Sequence, residues 1–140
     1  MTTTAGIGFG ATFTRSSTGA SGGVMSTIGE IIGITPPSIK RDTIDATHMG
    51  STGGYREFIG GLRDGGEVSA ELQYDPSGTA ASAMISDVEA DVTGYYEITF
   101  PDATVAGFTA FATGFEATTP MDDKMVATFT FKVTGKPTWV

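Results

Sequence analysis

The stretch DTIDATHMGSTGGYREFIGGLRDGGEVSAELQYDP, residues 42–76, begins and ends like a β-strand. Between the two strand-like ends lies a long glycine-punctuated segment that carries Met49, Tyr55, Phe58, Ile59 and Leu62. Connections run over the surface and expose what they carry. Exposed apolar clusters mark contacts with other molecules. Residues 47–66 also exceed the usual connection of about four to six residues, and they are expected to form a docking surface. A second reading stays open at this point: the same side chains fold back as a plug over the chain's own sheet, with Phe58, Ile59 and Leu62 on a single helical turn.

Alternation spreads outward from this stretch. In residues 67–74, Val68, Ala70, Leu72 and Tyr74 share one face, and Glu67, Ser69, Glu71 and Gln73 share the other. That period of two is the signature of a half-buried strand. The pattern returns over residues 125–133, with Met125, Ala127, Phe129, Phe131 and Val133 on one side, and over 95–100 with Tyr96, Ile98 and Phe100. Further strands are expected at 7–15, around 29–34, at 38–47 and at 105–116, where Gly107 and Gly114 are candidate bulges. Residues 16–23, SSTGASGG, have the composition of a flexible turn.

One helix is expected over residues 79–92. Ala81, Met84, Ile85 and Val88 recur at helical spacing, Ser77 or Thr79 is the candidate N-cap and Gly94 the candidate stop. Asp87, Glu89 and Asp91 near its C-terminal end are most simply a solvated face, since the helix dipole disfavours anions there. The expected fold is mainly β: a sandwich or barrel of about seven or eight strands, one flanking α-helix and a single domain over residues 1–140.

Composition narrows the function. With no cysteine the 140-residue chain has no disulfide framework, thiolate metal site or thiol nucleophile. Its single histidine, His48, rules out a histidine metal cluster, and no nucleophile elbow accompanies it. Asp122 and Asp123 lack the spacing that wraps calcium. The pairs Gly53-Gly54, Gly60-Gly61 and Gly65-Gly66 match no phosphate-loop pattern. No enzymatic activity and no cofactor are expected. The start, MTTTAGIGFG, has neither the basic nor the apolar region of a secretory signal, and no apolar run reaches membrane-spanning length. The expectation is a soluble, cytoplasmically made protein with no membrane partner. A net charge of −8 argues against gripping nucleic acid, which needs cations at the phosphates. It suits a surface past which DNA slides, and equally a protein kept soluble by charge.

Several of these pieces, taken in order, carry a resemblance. RDTIDATH (41–48), YREFIGGLRDGGEV (55–68), a strand running into YDP (74–76), a short helix, ITFPDA (98–103) and FEATTPMDDKMVATFTFKVTGKPTW (115–139) together resemble the major tail tube protein of long-tailed bacteriophages, in the tail tube and type VI secretion ring superfamily. The similarity covers most of residues 34–139. It implies a virion structural protein, assembled in the host cytoplasm as homo-hexameric rings that stack into a tail tube for genome delivery. On this reading His48, Met49, Tyr55, Arg56, Phe58, Ile59, Leu62 and Arg63 form the subunit and ring-stacking interface. Glu67, Glu71 and Gln73 face the lumen with Asp42 and Asp45 from the adjacent strand, and the helix lies on the outer side. The implied partners are further copies of the chain, the tape-measure protein, baseplate or tip proteins and a tail terminator, with DNA passing through unbound. No additional immunoglobulin-like module is expected after Val140. Two alternatives remain: a related ring protein, such as a tail terminator or secretion-tube component, and a monomeric β-sandwich binding module, for which Trp139 is a poor platform.

Overall fold

The computed structural model describes residues 8–17, 22–76, 78–90 and 93–140. Nine strands and one helix follow one another: β1 (Thr12–Ser16), β2 (Met25–Thr27), β3 (Glu30–Thr35), β4 (Lys40–Asp45), β5 (Phe58–Asp64), β6 (Glu67–Gln73), α1 (Thr79–Glu89), β7 (Gly94–Thr99), β8 (Val105–Thr118) and β9 (Val126–Trp139). Seven of the strands make one antiparallel sheet in the order β2-β1-β7-β8-β9-β6-β3, and β4 pairs with β5 alone.

That order forces the sheet to curl. β2 and β3 stand at opposite edges, six strand spacings or about 29 Å apart if the sheet were flat. Only Ile28 and Gly29 connect them, and three residue steps reach no more than about 11 Å. The sheet therefore rolls until β3 comes to lie near β1, with no hydrogen-bonded ladder between the two. The ring stacking inside says the same. Phe13 of β1 and Phe131 of β9 lie with two strands between them, yet their ring centroids are 5.7 Å apart.

The alternating residues fill this barrel as their spacing predicts. Val68, Ala70 and Leu72 of β6, Tyr96 and Ile98 of β7, Ala106, Phe108 and Ala110 of β8, and Ala127, Phe129, Phe131 and Val133 of β9 form one buried cluster with Phe13. The opposite phase of β6, Glu67, Glu71 and Gln73, is exposed. β8 is continuous, with register shifts at Gly107/Thr109 and Ala112/Gly114 where bulges were expected. β9 runs six residues beyond the apolar pattern, to Trp139, and Pro137 is tolerated because it falls inside the irregular stretch opposite Gly107 and Thr109.

The helix begins at Thr79 as expected and departs from expectation in its cap and its C-terminal end. It stops at Glu89, and Gly78 is its N-cap, with no side-chain capping bond; Ser77, Asp91 and Val92 lie outside the described residues, as does the Ala81 side chain. Met84 is fully buried, and Ile85 and Val88 pack against the core. Met84 shares that core with Val68 and Leu72, so the helix lies on the opposite face of β6 from Glu67 and Glu71.

Asp87 is not part of a solvated face. Its carboxylate accepts two hydrogen bonds from Arg15 of β1, at Nε (2.5 Å) and Nη2 (2.7 Å), and a third from the Tyr96 hydroxyl of β7 at 2.8 Å. Charge-assisted bidentate pairs of this kind are the strong ones, and this one pins the helix to the barrel. Asp87→Ala leaves the guanidinium and the buried hydroxyl without their acceptor. The expected cost is about 2–3 kcal/mol, read as a fall of roughly 6–12 °C in melting temperature. Burial, then the Asp87 hydrogen bond, pushes the Tyr96 phenol well above its ordinary value. The neutral phenol is the form the fold favours, so this contribution is intact below about pH 10 and is lost as pH rises through the elevated value. Melting measured from pH 9 upward should fall more steeply for the parent chain than for Tyr96→Phe.

Candidate functional site

The segment over residues 47–66 is not a plug, and only its first part, up to Glu57, is a loop. Phe58–Asp64 forms β5, which pairs antiparallel with β4 as a two-stranded arm. No helical turn involves Phe58, Ile59 or Leu62. Almost every residue of the arm is exposed, and none belongs to the core. Tyr55 is 78% exposed, Leu62 84%, and Met49 fully so. Ile44 and Ile59 face each other across the pair and share one side, whereas Phe58 pairs with Asp45. Ile39, also exposed, adds to this surface at its base.

Two glycines shape the arm. The Arg41 guanidinium lies directly over Gly60, in the space a Cβ would need, and Arg41 Nε donates to Gly61 O at 3.3 Å. At the root, Gly66 takes a positive φ of 75° with Ser38 O pressed against it, so the chain turns sharply from β5 into β6. Asp64 ties the root to the barrel by accepting from Lys132 Nζ and Gly66 N, both at 2.8 Å. Those two bonds, the lysine's foremost, hold its carboxyl below the usual carboxylate range.

The tip, residues 46–57, is held by its own polar groups. Glu57 is the hub. Its carboxylate accepts from the Ser51 hydroxyl at 2.6 Å and lies 3.4 Å from His48 Nε2. Its backbone O accepts from Ala46 N, and its N donates to Thr47 Oγ1. His48 Nδ1 accepts from Gly50 N at 3.1 Å, which places the neutral ring's proton on Nε2, toward Glu57. Thr47 N donates to Asp45 at 2.9 Å, and hydrogen bonding from the Thr47 side chain, then from its N, holds the Asp45 carboxyl below the usual carboxylate range. Arg56 reaches Asp45 at 3.8 Å, an exposed pair worth little by itself. The tip thus presents Met49 and Tyr55 from a bonded frame, and a docking segment ordered beforehand loses less entropy on binding.

The structure gathers His48, Met49, Tyr55, Arg56, Phe58, Ile59, Leu62 and Arg63 on this arm. It separates two residues from the company predicted for them. Asp42 and Asp45 lie on β4, which pairs only with β5, so they do not sit beside Glu67 and Glu71. The neighbours of β6 are β9 and β3. Across them Gln73 pairs with Glu30, Glu71 with Thr128, and Ser69 with Thr130, and Thr128 pairs in turn with Glu116 of β8. The polar sheet face is therefore Glu30, Glu67, Ser69, Glu71, Gln73, Glu116, Thr128 and Thr130; alternation placed all but Glu30 and Glu116 on the polar side of their strands, and only the residues of β6 were expected at the lumen. Lys132 also lies there, drawn toward Asp64. The Thr47–Ser51–Glu57 frame was missed because a Thr, Ser and Glu around a glycine turn look like any solvated tip. Among the described residues no cluster of three or more metal-ligating side chains occurs.

Comparison with known proteins bears directly on this architecture. A family model described as lambda phage tail tube protein matches residues 11–140. The fold is similar to a chain from the tail of an empty gene transfer agent particle with C6 symmetry, at 18% identity and a TM-score of 0.78 over 97% of this chain and 99% of that one. It is also similar to a chain of the sheath–tube complex of an extracellular contractile injection system (13%, 0.69, covering 93% and 87%). A further likeness is to the SPP1 tail tube (8%, 0.62, covering 92% and 75%). No curated protein sequence matches significantly. With 130 of its residues inside that family model, the chain belongs to the lambda phage tail tube protein family and is a structural component of a virion tail tube.

Proposed function

We propose that copies of the chain form six-membered rings, that the rings stack through the β4–β5 arm, and that the genome travels down the resulting lumen. The arm carries this reading. A two-stranded ribbon with large apolar side chains, tied to the barrel only at its root, is marginal unless something packs on it. The neighbour's barrel is the partner that a repeating tube supplies. The free side of β3, with Ile32 exposed, offers an unpaired edge that a ring neighbour covers.

The lumen wall is the polar sheet face around Glu67, Glu71 and Gln73, with Glu116 adding charge. The helix lies on the other side and faces outward. Carboxylates repel the phosphate backbone, so DNA slides without being held. Asp42 and Asp45 belong to the stacking arm in this scheme. The role is structural rather than catalytic, and the ends of the tube meet a terminator and a baseplate, with a length-setting protein occupying the lumen before DNA does. Assembly takes place in the host cytoplasm.

Electron microscopy of the purified chain tests the assembly: filaments of indefinite length support a tube, whereas isolated rings indicate a terminator-like component and monomers a binding module. Lumen polarity has its own test. Glu67→Lys with Glu71→Lys is expected to slow DNA release by roughly tenfold at low salt, with the gap closing as salt rises. Unchanged release kinetics would move the wall to another face.

A further inference from the structure

We infer that the acceptor for the arm is the groove at the opposite end of the barrel, lined by Glu30, Leu72, Tyr74, Asp75, Lys124 and Met125. This rests on the stacking read from the arm and names the surface into which it docks.

Strand direction supplies the first argument. The arm roots at the Glu67 end of β6, through Asp64, Gly65 and Gly66, and β3 leaves the sheet toward the arm from the same end, where Thr35 pairs with Ser69. The groove lies at the other end, where Glu30 pairs with Gln73 and Tyr74 N donates to Met125 O at 2.9 Å. The two ends are about 20 Å apart along the strand. A head-to-tail stack that does not close needs two different, complementary surfaces at opposite ends of the subunit, and arm and groove stand in that relation.

Charge supplies the second. Four of the chain's eight Lys and Arg residues, Lys40, Arg41, Arg56 and Arg63, lie on the arm. The arm's four carboxylates, Asp42, Asp45, Glu57 and Asp64, balance these cations, and Asp64 is paired with Lys132 of β9, so the arm end is the less acidic of the two. The far end carries Glu30, Asp75, Glu116, Asp122 and Asp123 against the single cation Lys124. Chemistry supplies the third. The groove has an apolar floor in Leu72 and Tyr74, and methionine at its rim: Met125 is partly exposed, and Met121, on the β8–β9 turn beside it, wholly so. Methionine side chains adapt to what packs on them, which suits an incoming Tyr55 or Met49. The other large grooves fit less well. One lies at the root of the arm itself, around Leu62 and Trp139, and the other, around Phe9 and Phe100, carries no charged side chain to meet the arm's cations.

Because the chain contains no cysteine, paired cysteines give a clean readout. Tyr55→Cys combined with Met125→Cys is expected to produce, on mild oxidation of assembled material, a reducible ladder of covalent multimers that neither single variant gives. Tyr55→Cys with Phe9→Cys is the control and should give no ladder. Filaments in which the first pair fails to cross-link, or in which the control cross-links equally, overturn the acceptor and leave stacking intact. An unsubstituted chain that forms no filaments overturns both. If the double-cysteine chain does not assemble, charge exchange decides. Glu30→Arg should raise the concentration needed for assembly roughly tenfold, and Arg56→Glu in the same chain should restore most of it; no restoration overturns the assignment.

Discussion

Ile59→Asp is expected to give a chain that folds normally and no longer builds tubes. Ile59 sits opposite Ile44 on the arm, 56% exposed and remote from the core. In the free chain its loss removes one cross-strand apolar pair, about 0.2–1 kcal/mol, so the melting temperature should move by only a few degrees. In the proposed stack the same position is covered by the next ring. A carboxylate buried there without a partner costs several kcal/mol per copy, and 4 kcal/mol alone weakens a contact roughly a thousandfold. Each ring repeats the penalty. Circular-dichroism melting checks the fold, and sedimentation with negative-stain images checks assembly. Phe58→Asp, on the other side of the arm beside Asp45, should act in the same way. Filaments of ordinary length from both variants would remove the arm from the stacking contact.

The largest effect on stability is expected from Phe131→Ala. Phe131 has no exposed surface, and its ring lies 4.7 Å from Tyr96 and 5.7 Å from Phe13, centroid to centroid. It is the residue through which β1, β7 and β9 meet across the barrel. Truncation removes the transfer energy of a benzyl group and leaves a cavity that β9, paired on both sides, cannot collapse to fill. Phe→Ala at such a site costs about 3–5 kcal/mol, a large share of the 5–15 kcal/mol that holds a typical domain together. Chemical denaturation should show a lower midpoint with little change in slope. Ile98→Val, one methylene from the same core, should cost only about 0.5–1.5 kcal/mol. A Phe131→Ala midpoint as mild as that of Ile98→Val would mean the barrel has a looser interior than its stacked rings indicate.

Where one face of a strand is buried, the sequence shows it. β6, β7 and the first half of β9 were legible because Val68, Ile98 and Phe129 alternate with residues that must stay wet. The arm was legible as an excursion that exposes its apolar groups, with β4 expected as a strand over 38–47 and its partner β5 not. Both faces of β4 and β5 are exposed, so Ile44 and Ile59 on one side and Phe58 on the other produce no period of two, and Gly60-Gly61 imitates a turn. The end of β9 was hidden for a related reason, since Gly135 and Pro137 belong to a break in register inside a continuing strand. β2 is three residues long and leaves no pattern at all. Asp87 was misread because its partner, Arg15, lies 72 residues away in sequence, and only the curl of the sheet brings them together. The acidic sheet face was half visible for the same reason: Glu67 and Glu71 announce themselves, while Glu30 and Glu116 reach it only through strand order.

The arm adds nothing to the barrel's interior, and this separates two kinds of selection. Substitutions at Met49, Tyr55 or Leu62 can drift without threatening the fold, provided the matching site on the next copy drifts with them. On the proposed stacking, related tubes made in one cell can diverge into mutually blind lineages, each polymerising only with its own kind, while sharing an unaltered scaffold.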